Sequence, residues 1–278
     1  MQLTPRYDDA PVIRIDLDLG DVAATLAQQR RRLVAELGTL EPAQWAHPTR
    51  CDDWTVTDVV AHLAGTTRFW NASISGGAAG TPTRYLDGFD PATTPGDLVV
   101  GMGELSPEVA LEMLDETGEA LVTQLDSLDT AGWSALAEAP PGHLRTTEVA
   151  LHALWDAWIH ERDILIPLGR PAPAQPDEML STLAYVTALS PAIERVTGGP
   201  NHVGSMRLRS PDLDTSFIVD VADAVVVLPD DDRPCTLSIT GKAVDLIEAL
   251  SCRSPALAAP PEDTWLVSGL SRLFDQTR

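Results

Sequence analysis

The sequence predicts a mainly α-helical protein: a four-helix bundle followed by a small α+β domain. Apolar residues recur at helical spacing through most of the first 200 residues. Farther along, short runs rich in β-branched residues are broken by Asp and Pro, as strands are. Gly198, Gly199 and Pro200 interrupt both patterns, so we expect two domains, residues 1–199 and 200–278.

Five long helices are predicted in the first domain. Thr55 with Asp58 three residues later resembles a capping box, which places the start of the second helix at Val56. Residues 75–105 are rich in Gly, Pro and Thr and predict a long irregular connection, a feature typical of site lids. The five helices cover about 17–40, 56–73, 106–128, 146–168 and 177–196.

The second domain is predicted to hold four short strands and one helix. The helix covers residues 243–250. The strands are predicted at 206–209, 215–221, 224–228 and 235–240. Helices that segregate from a small sheet in this way are typical of an α+β domain.

The 278 residues carry 19 basic and 41 acidic side chains, for a net charge of −22. Such a surface repels phosphate backbones, so we expect no nucleic-acid partner. The sequence contains no apolar run of about 18 residues and no signal-peptide pattern at its start, which predicts a cytoplasmic protein without a membrane partner. The oligomeric state is not indicated by the sequence.

Three cysteines, Cys51, Cys235 and Cys252, lie far apart in the sequence. Their odd number and wide spacing argue against a disulfide framework and against a cysteine zinc site. Reduced, structural thiols are the simplest interpretation.

The fourth predicted helix carries Glu148, His152, Asp156 and His160 at intervals of four. Adjacent members can share one ion, but each step of four drifts about 40° around the helix, so a pair is the expected unit. Periodicity does not choose among the three adjacent pairs. His62 on the second helix is the natural third ligand, because its neighbours suggest that part of this helix packs inward.

Two histidines and one carboxylate would leave coordination positions open on a divalent metal such as zinc. An open position favours catalysis over a structural role. The alternative is that these histidines are ordinary hydrogen-bonded residues, since the same spacings arise often by chance.

Two segments resemble a known family. The first runs from Trp45 to Leu63 as W-x-x-P-T-x-C-x-x-W-T-V-x-D-V-V-A-H-L, and the second is Trp155 to Asp163 followed by Pro167-Leu168-Gly169. Both are similar to motifs of the mycothiol-dependent maleylpyruvate isomerase family, in the DinB-like superfamily. A third set of residues is similar to the C-terminal domain of that family. It comprises Gly241, Asp245-Leu246-Ile247, Leu250-Ser251 and Arg253.

The resemblance implies a DinB-like four-helix bundle and a sterol-carrier-like C-terminal domain. It places the metal ligands on His62, Asp156 and His160, with Asp156 standing where the isomerases usually have Glu. Asp163 could orient a ligand or form an ion pair. The family's C-terminal arginine, thought to meet the substrate or the thiol, corresponds to Arg253, for which a solvated loop arginine is the alternative.

The resemblance therefore predicts an enzyme whose divalent metal, expected to be zinc, binds mycothiol sulfur and activates it against an electrophilic small molecule. Both cis–trans isomerases and thiol S-transferases fit this prediction. A hydrolase with metal-activated water is the second hypothesis. The third is a non-catalytic protein that binds an apolar small molecule.

Overall fold

Helices account for about half of the chain in the computed structural model, which describes residues 2–198 and 200–274. The helices of these residues, in chain order, are α1 (Val22–Leu37), α2 (Pro42–Trp45), α3 (Val56–Ala78), α4 (Thr94–Gly101), α5 (Pro107–Asp126), α6 (Thr130–Ser134), α7 (Thr146–Leu165), α8 (Pro176–Val196), α9 (Ala243–Leu250) and α10 (Gly269–Phe274). None of the described helices is long and apolar enough to cross a bilayer.

Helices α1, α3, α5 and α7 pack side by side, each against two of the others. Their shared core contains the fully buried Leu33, Val60, Leu63 and Leu114. Helix α3 begins where the sequence predicts, because Thr55 and Asp58 form the reciprocal capping box. The Thr55 backbone N–H donates to Asp58 Oδ2 at 2.8 Å.

The strands form a five-stranded mixed sheet and a separate hairpin. The sheet has the order β1-β6-β5-β4-β7, with β1–β6 and β4–β7 parallel and the other two pairs antiparallel. Helix α8 lies between the helical bundle and the five-stranded sheet, because it packs on α7 of the bundle, on the sheet and on α9. The strands are β1 (Ile13–Ile15), β2 (Leu136–Ala139), β3 (Gly142–Arg145), β4 (Gly204–Ser210), β5 (Thr215–Val221), β6 (Val225–Pro229) and β7 (Leu237–Thr240), with β2 and β3 forming the hairpin.

Strand β1 comes from the segment before α1 and pairs with β6, with Ile13 opposite Val225. The five-stranded sheet is therefore not built only from residues beyond 200. Gly199 of the predicted boundary lies outside the described residues, and the division into 1–199 and 200–278 stays a prediction.

Other elements also differ from the sequence expectation. The segment 75–105 contains helix α4, and the Pro- and Gly-containing turn before α7 is the tip of the β2–β3 hairpin. Gly142 in this hairpin has a φ of +128° and lies against the backbone of Arg6, where a Cβ would clash. The hairpin is thereby fixed against the N-terminal segment.

Candidate metal centre

Helices α3 and α7 pack against each other and bring three predicted ligands together. The Nε2 atom of His62 lies 3.6 Å from Asp156 Oδ1, and the Nε2 atom of His160 lies 3.5 Å from the same oxygen. One donor atom from each residue can be chosen so that all three lie within 4.8 Å of one another. The three residues are nearly buried, at 9%, 8% and 8% exposure for His62, Asp156 and His160.

This donor set fits a divalent metal. Ligands about 2.1 Å from a tetrahedral zinc lie about 3.4 Å from one another, close to the spacings between Asp156 Oδ1 and the two imidazoles. The other carboxylate oxygen, Asp156 Oδ2, accepts a hydrogen bond from Thr66 Oγ1 at 3.2 Å. Since Oδ2 is engaged, the arrangement suits a carboxylate that binds through Oδ1 alone.

The imidazole of His160 is oriented by a carboxylate at the ring nitrogen that does not face Asp156. Its Nδ1 lies 3.0 Å from Asp163 Oδ2, which leaves Nε2 facing Asp156 and His62. A carboxylate on the far nitrogen of a ligating histidine fixes its tautomer and raises its basicity. Asp163 therefore occupies the place of an orienting residue.

Asp163 is fully buried and also binds arginine. Nε and Nη2 of Arg253 donate to it at 2.9 and 2.8 Å, and Arg50 Nε lies 3.5 Å from Oδ1. Cys51 Sγ lies 3.3 Å from Asp163 Oδ2 and 3.5 Å from His160 Nδ1. Cys51, His160, Asp163 and Arg253 thus form one contact network, which we call the charged wall.

Electrostatics in this region follow from these contacts. Burial raises the pKa of Asp156, but the neighbouring imidazoles of His62, His160 and His152 together outweigh burial and hold that pKa well below the usual range. Burial lowers the pKa of His160, yet Cys51 and Asp163 together raise it to about 10. Burial likewise opposes ionisation of Asp163, whose pKa is nevertheless lowered by His160 and Arg253.

The other two members of the α7 series face different partners. Glu148 pairs with Arg145 and accepts the Ile15 backbone N–H at 2.9 Å. His152 Nδ1 lies 2.6 Å from the Tyr185 hydroxyl. Within the described residues, neither joins a group with metal-ligand spacing. The pair that meets His62 is Asp156 with His160.

His152 is enclosed by rings. The centroids of Trp70, Trp155 and Tyr185 lie 4.7, 5.2 and 5.2 Å from that of its imidazole. Burial lowers the pKa of His152 to about 4, so the ring is neutral at physiological pH. We call His152, Trp70, Trp155 and Tyr185 the aromatic wall.

Both walls border one cavity of about 810 Å³. The three candidate ligands, Cys51, Arg253 and His152 all line it. The segment between α3 and α5 contributes apolar lining through Leu86, Phe89, Val99 and Met102, as expected for a lid-like connection. A concave, largely apolar site with a few convergent polar groups is typical of small-molecule binding.

Comparison with known proteins identifies the family. Residues 26–165 match the family described as mycothiol maleylpyruvate isomerase N-terminal domain. The chain belongs to this family. This confirms the relationship that the two sequence motifs predict.

Solved structures of similar fold include two crystal structures of the mycothiol-dependent maleylpyruvate isomerase, one of them a histidine-to-alanine mutant. The mutant is 14% identical to this chain and the other structure 16%, each with a TM-score of 0.59. In both cases the match covers 86% of this chain and 91% of the other. No match was found among curated proteins.

The sequence did not indicate Cys51, Thr66 and Tyr185 as residues of the site. They contact His160, Asp156 and His152, respectively. Cys51 was interpreted as a structural thiol, although it lies inside the first motif, which is a signal that could have drawn attention to it. Thr66 follows His62 by four residues and so shares its helix face, which is also a readable signal. Tyr185 lies on α8, and no sequence pattern connects it with His152.

Proposed function

We propose that the chain is a metal-dependent enzyme that uses mycothiol as its thiol cosubstrate and acts on an electrophilic small molecule, as a cis–trans isomerase or as an S-transferase. The observation that carries the proposal is the group formed by His62, Asp156 and His160 on the wall of the 810 Å³ cavity. Membership of the family, and likeness to structures named mycothiol-dependent maleylpyruvate isomerase, support the choice of thiol.

His62 Nε2, Asp156 Oδ1 and His160 Nε2 would hold a divalent metal, with zinc as the expected ion. Such a metal lowers the pKa of a coordinated thiol, so that the sulfur is available as a nucleophile at neutral pH. Thr66 fixes the Asp156 carboxylate and Asp163 fixes the His160 ring. These contacts set the direction of the donor atoms before any ligand binds.

Arg253 acts, in this proposal, through Asp163. Each of its three nitrogen atoms already donates to a protein acceptor, because Nε and Nη2 bind Asp163 and Nη1 binds the Ser251 carbonyl oxygen at 3.2 Å. Direct contact of Arg253 with substrate or thiol, as the family resemblance implies, stays a prediction. Replacing Arg253 with Lys separates the two roles: a positioning residue affects mainly kcat, whereas a substrate contact affects KM.

Metal analysis tests the ligand set. After reconstitution with zinc and gel filtration, His62→Ala and His160→Ala proteins should lose the metal that the unaltered chain retains, because two donors do not form a tight site. His47→Ala is the matched control, since among the described residues the His47 side chain hydrogen-bonds only the adjacent Pro48 carbonyl oxygen. Full zinc occupancy in both site variants would contradict the assignment.

A cobalt-substituted protein tests the thiol. Adding mycothiol should produce a sulfur-to-cobalt charge-transfer band in the near ultraviolet, which oxygen and nitrogen ligands do not give. Saturation with mycothiol without a new band would instead favour metal-activated water and a hydrolase. Tight metal-free binding of an apolar molecule, with no turnover of any electrophile, would favour a carrier.

A further inference from the structure

His152 belongs to the same cavity as the proposed metal site but not to its ligand group. It precedes Asp156 by one helical turn on α7 and lines the cavity. The residue is only 6% exposed, and its ring contacts the rings of Trp70 and Trp155. His152 is therefore a rigidly held side chain beside the proposed metal site.

The contact with Tyr185 defines which imidazole nitrogen carries the proton. Tyr185 is fully buried, and burial raises the pKa of its hydroxyl well above 10, so the O–H is present. Among the described residues, the only hydrogen-bond partner of this hydroxyl is His152 Nδ1, at 2.6 Å. A buried O–H without an acceptor costs about 1–3 kcal/mol, so Tyr185 donates and Nδ1 accepts.

A neutral imidazole that accepts at Nδ1 carries its proton on Nε2. Within the described part of the chain, this Nε2 makes no hydrogen bond to a protein acceptor, and His152 lines the cavity. The N–H donor without a protein acceptor therefore belongs to a residue of the cavity lining, about one helical turn from the proposed metal ligands.

We propose that His152 Nε2–H donates a hydrogen bond to the carbonyl oxygen of a substrate whose alkene is conjugated to that carbonyl, and that it stabilises the negative charge which develops there when the thiol sulfur adds. The inference rests on the proposed function and adds a catalytic residue, His152, to the same site.

The electron balance of the step requires no further reagent. The sulfur electron pair forms a C–S bond at the β-carbon, and the alkene π pair shifts to give an enolate whose oxygen is held by His152. Rotation about the former double bond can follow. When the C–S bond breaks, the pair returns to sulfur and the alkene re-forms, while the imidazole keeps its proton throughout.

The environment of His152 suits this role. A rigid neutral donor in a water-poor site stabilises an oxyanion without reorganising, and removal of one such donor typically costs 10²- to 10³-fold in kcat. The rings of the aromatic wall leave the imidazole little freedom to turn away. Tyr185 thus acts as a positioning residue and His152 as a catalytic residue.

The test compares two electrophiles with mycothiol and the zinc-loaded full chain. Benzylideneacetone develops negative charge on its carbonyl oxygen when the thiol adds. Benzyl bromide has no carbonyl group, and the negative charge leaves with the bromide ion. His152→Ala should lower kcat for benzylideneacetone by about 100-fold or more and for benzyl bromide by less than about threefold. Tyr185→Phe should lower only the first rate, by a smaller factor, because the ring survives without its orienting hydroxyl. Tyr7→Phe is the control, since its hydroxyl binds Glu138 at 2.7 Å and Tyr7 does not line the cavity.

The outcomes separate the two claims. Equal losses for both electrophiles, or none, in variants that retain zinc would overturn the role of His152 and leave the proposed function standing. An unaltered protein without thiol-dependent turnover of either compound would overturn both. Nitrogen NMR of ¹⁵N-histidine protein gives a readout independent of activity and of variant folding: the proton of His152 is expected on Nε2, and a proton on Nδ1 would refute the inference.

Discussion

The charged wall and the aromatic wall face the same cavity and share helix α7, yet they surround their histidines with opposite chemistry. His160 contacts two carboxylates, those of Asp156 and Asp163, and the Cys51 thiol. His152 contacts two indole rings and one phenol. Both histidines are nearly buried, so the difference arises from their neighbours and not from their distance to solvent.

The consequence is visible in their pKa values. Burial lowers the pKa of His152 to about 4, with only a small opposing effect from the charge of Asp156. Burial acts in the same direction on His160, but Cys51 and Asp163 reverse it and raise the pKa to about 10. Two histidines eight residues apart on one helix are thus suited to different tasks: one to be oriented by a carboxylate, the other to stay neutral.

The largest effect is expected when the charged wall loses its central carboxylate. In Asp163→Asn protein, Arg253 and Arg50 lose a fully buried counter-ion, which should lower the free energy of unfolding by about 3–5 kcal/mol. Urea denaturation measures the change. The exposed Glu112→Gln on α5 should alter it by less than about 0.5 kcal/mol. A loss below about 1 kcal/mol for Asp163→Asn would show that the arginines find other partners.

The aromatic wall should make the free energy of unfolding fall at acidic pH, through His152. Folded His152 has a pKa of about 4 against an ordinary value of 6.5, so the unfolded state takes up a proton first. Stability from this group is complete above about pH 6.5 and is lost as pH falls towards 4, by roughly 3 kcal/mol at most. His152→Gln should remove this part of the acid slope in urea titrations between pH 4 and 7.

The control for this slope is His47→Gln, because His47 lies outside both walls. It should leave the acid dependence unchanged. If His152→Gln and the unaltered protein show parallel curves over the whole range, folding does not lower the pKa of His152 and the contrast between the walls fails.

The smallest effect concerns the link between the aromatic wall and the end of α9. Trp155 Nε1 donates to Ser251 Oγ at 2.9 Å. Trp155→Phe should cost about 1 kcal/mol of unfolding free energy through this hydrogen bond, in addition to the lost ring area. A double-mutant cycle with Ser251→Ala isolates the bond, with an expected coupling of about 1 kcal/mol. Zero coupling would mean that Ser251 contributes nothing to holding this wall.

Several elements could be predicted from the sequence because their signals are local. Helix α3 begins at Val56 as its capping box predicts, and the bounds of β5 and α9 match the predicted 215–221 and 243–250. Strand β1 was missed because three residues carry too little alternation, and its partner Val225 is more than 200 positions away. The β2–β3 hairpin and α4 were missed for a similar reason, since Pro and Gly dominate their surroundings.

For the site, the sequence by itself determined which residues could act together on α7: four polar side chains at intervals of four, and His62 on another inward-facing helix. The spacing left three pairs open, because each looks alike along the helix, and it was the resemblance of the motifs to the family that selected Asp156 with His160. The tertiary structure distinguishes the pairs by their partners. Glu148 binds Arg145 and the backbone of β1, and His152 binds Tyr185. Helix α3 brings His62 to Asp156 and His160. Spacing along one helix fixes only the direction in which a side chain projects. The partner that it meets is set by the elements packed against that face, and these come from distant parts of the chain.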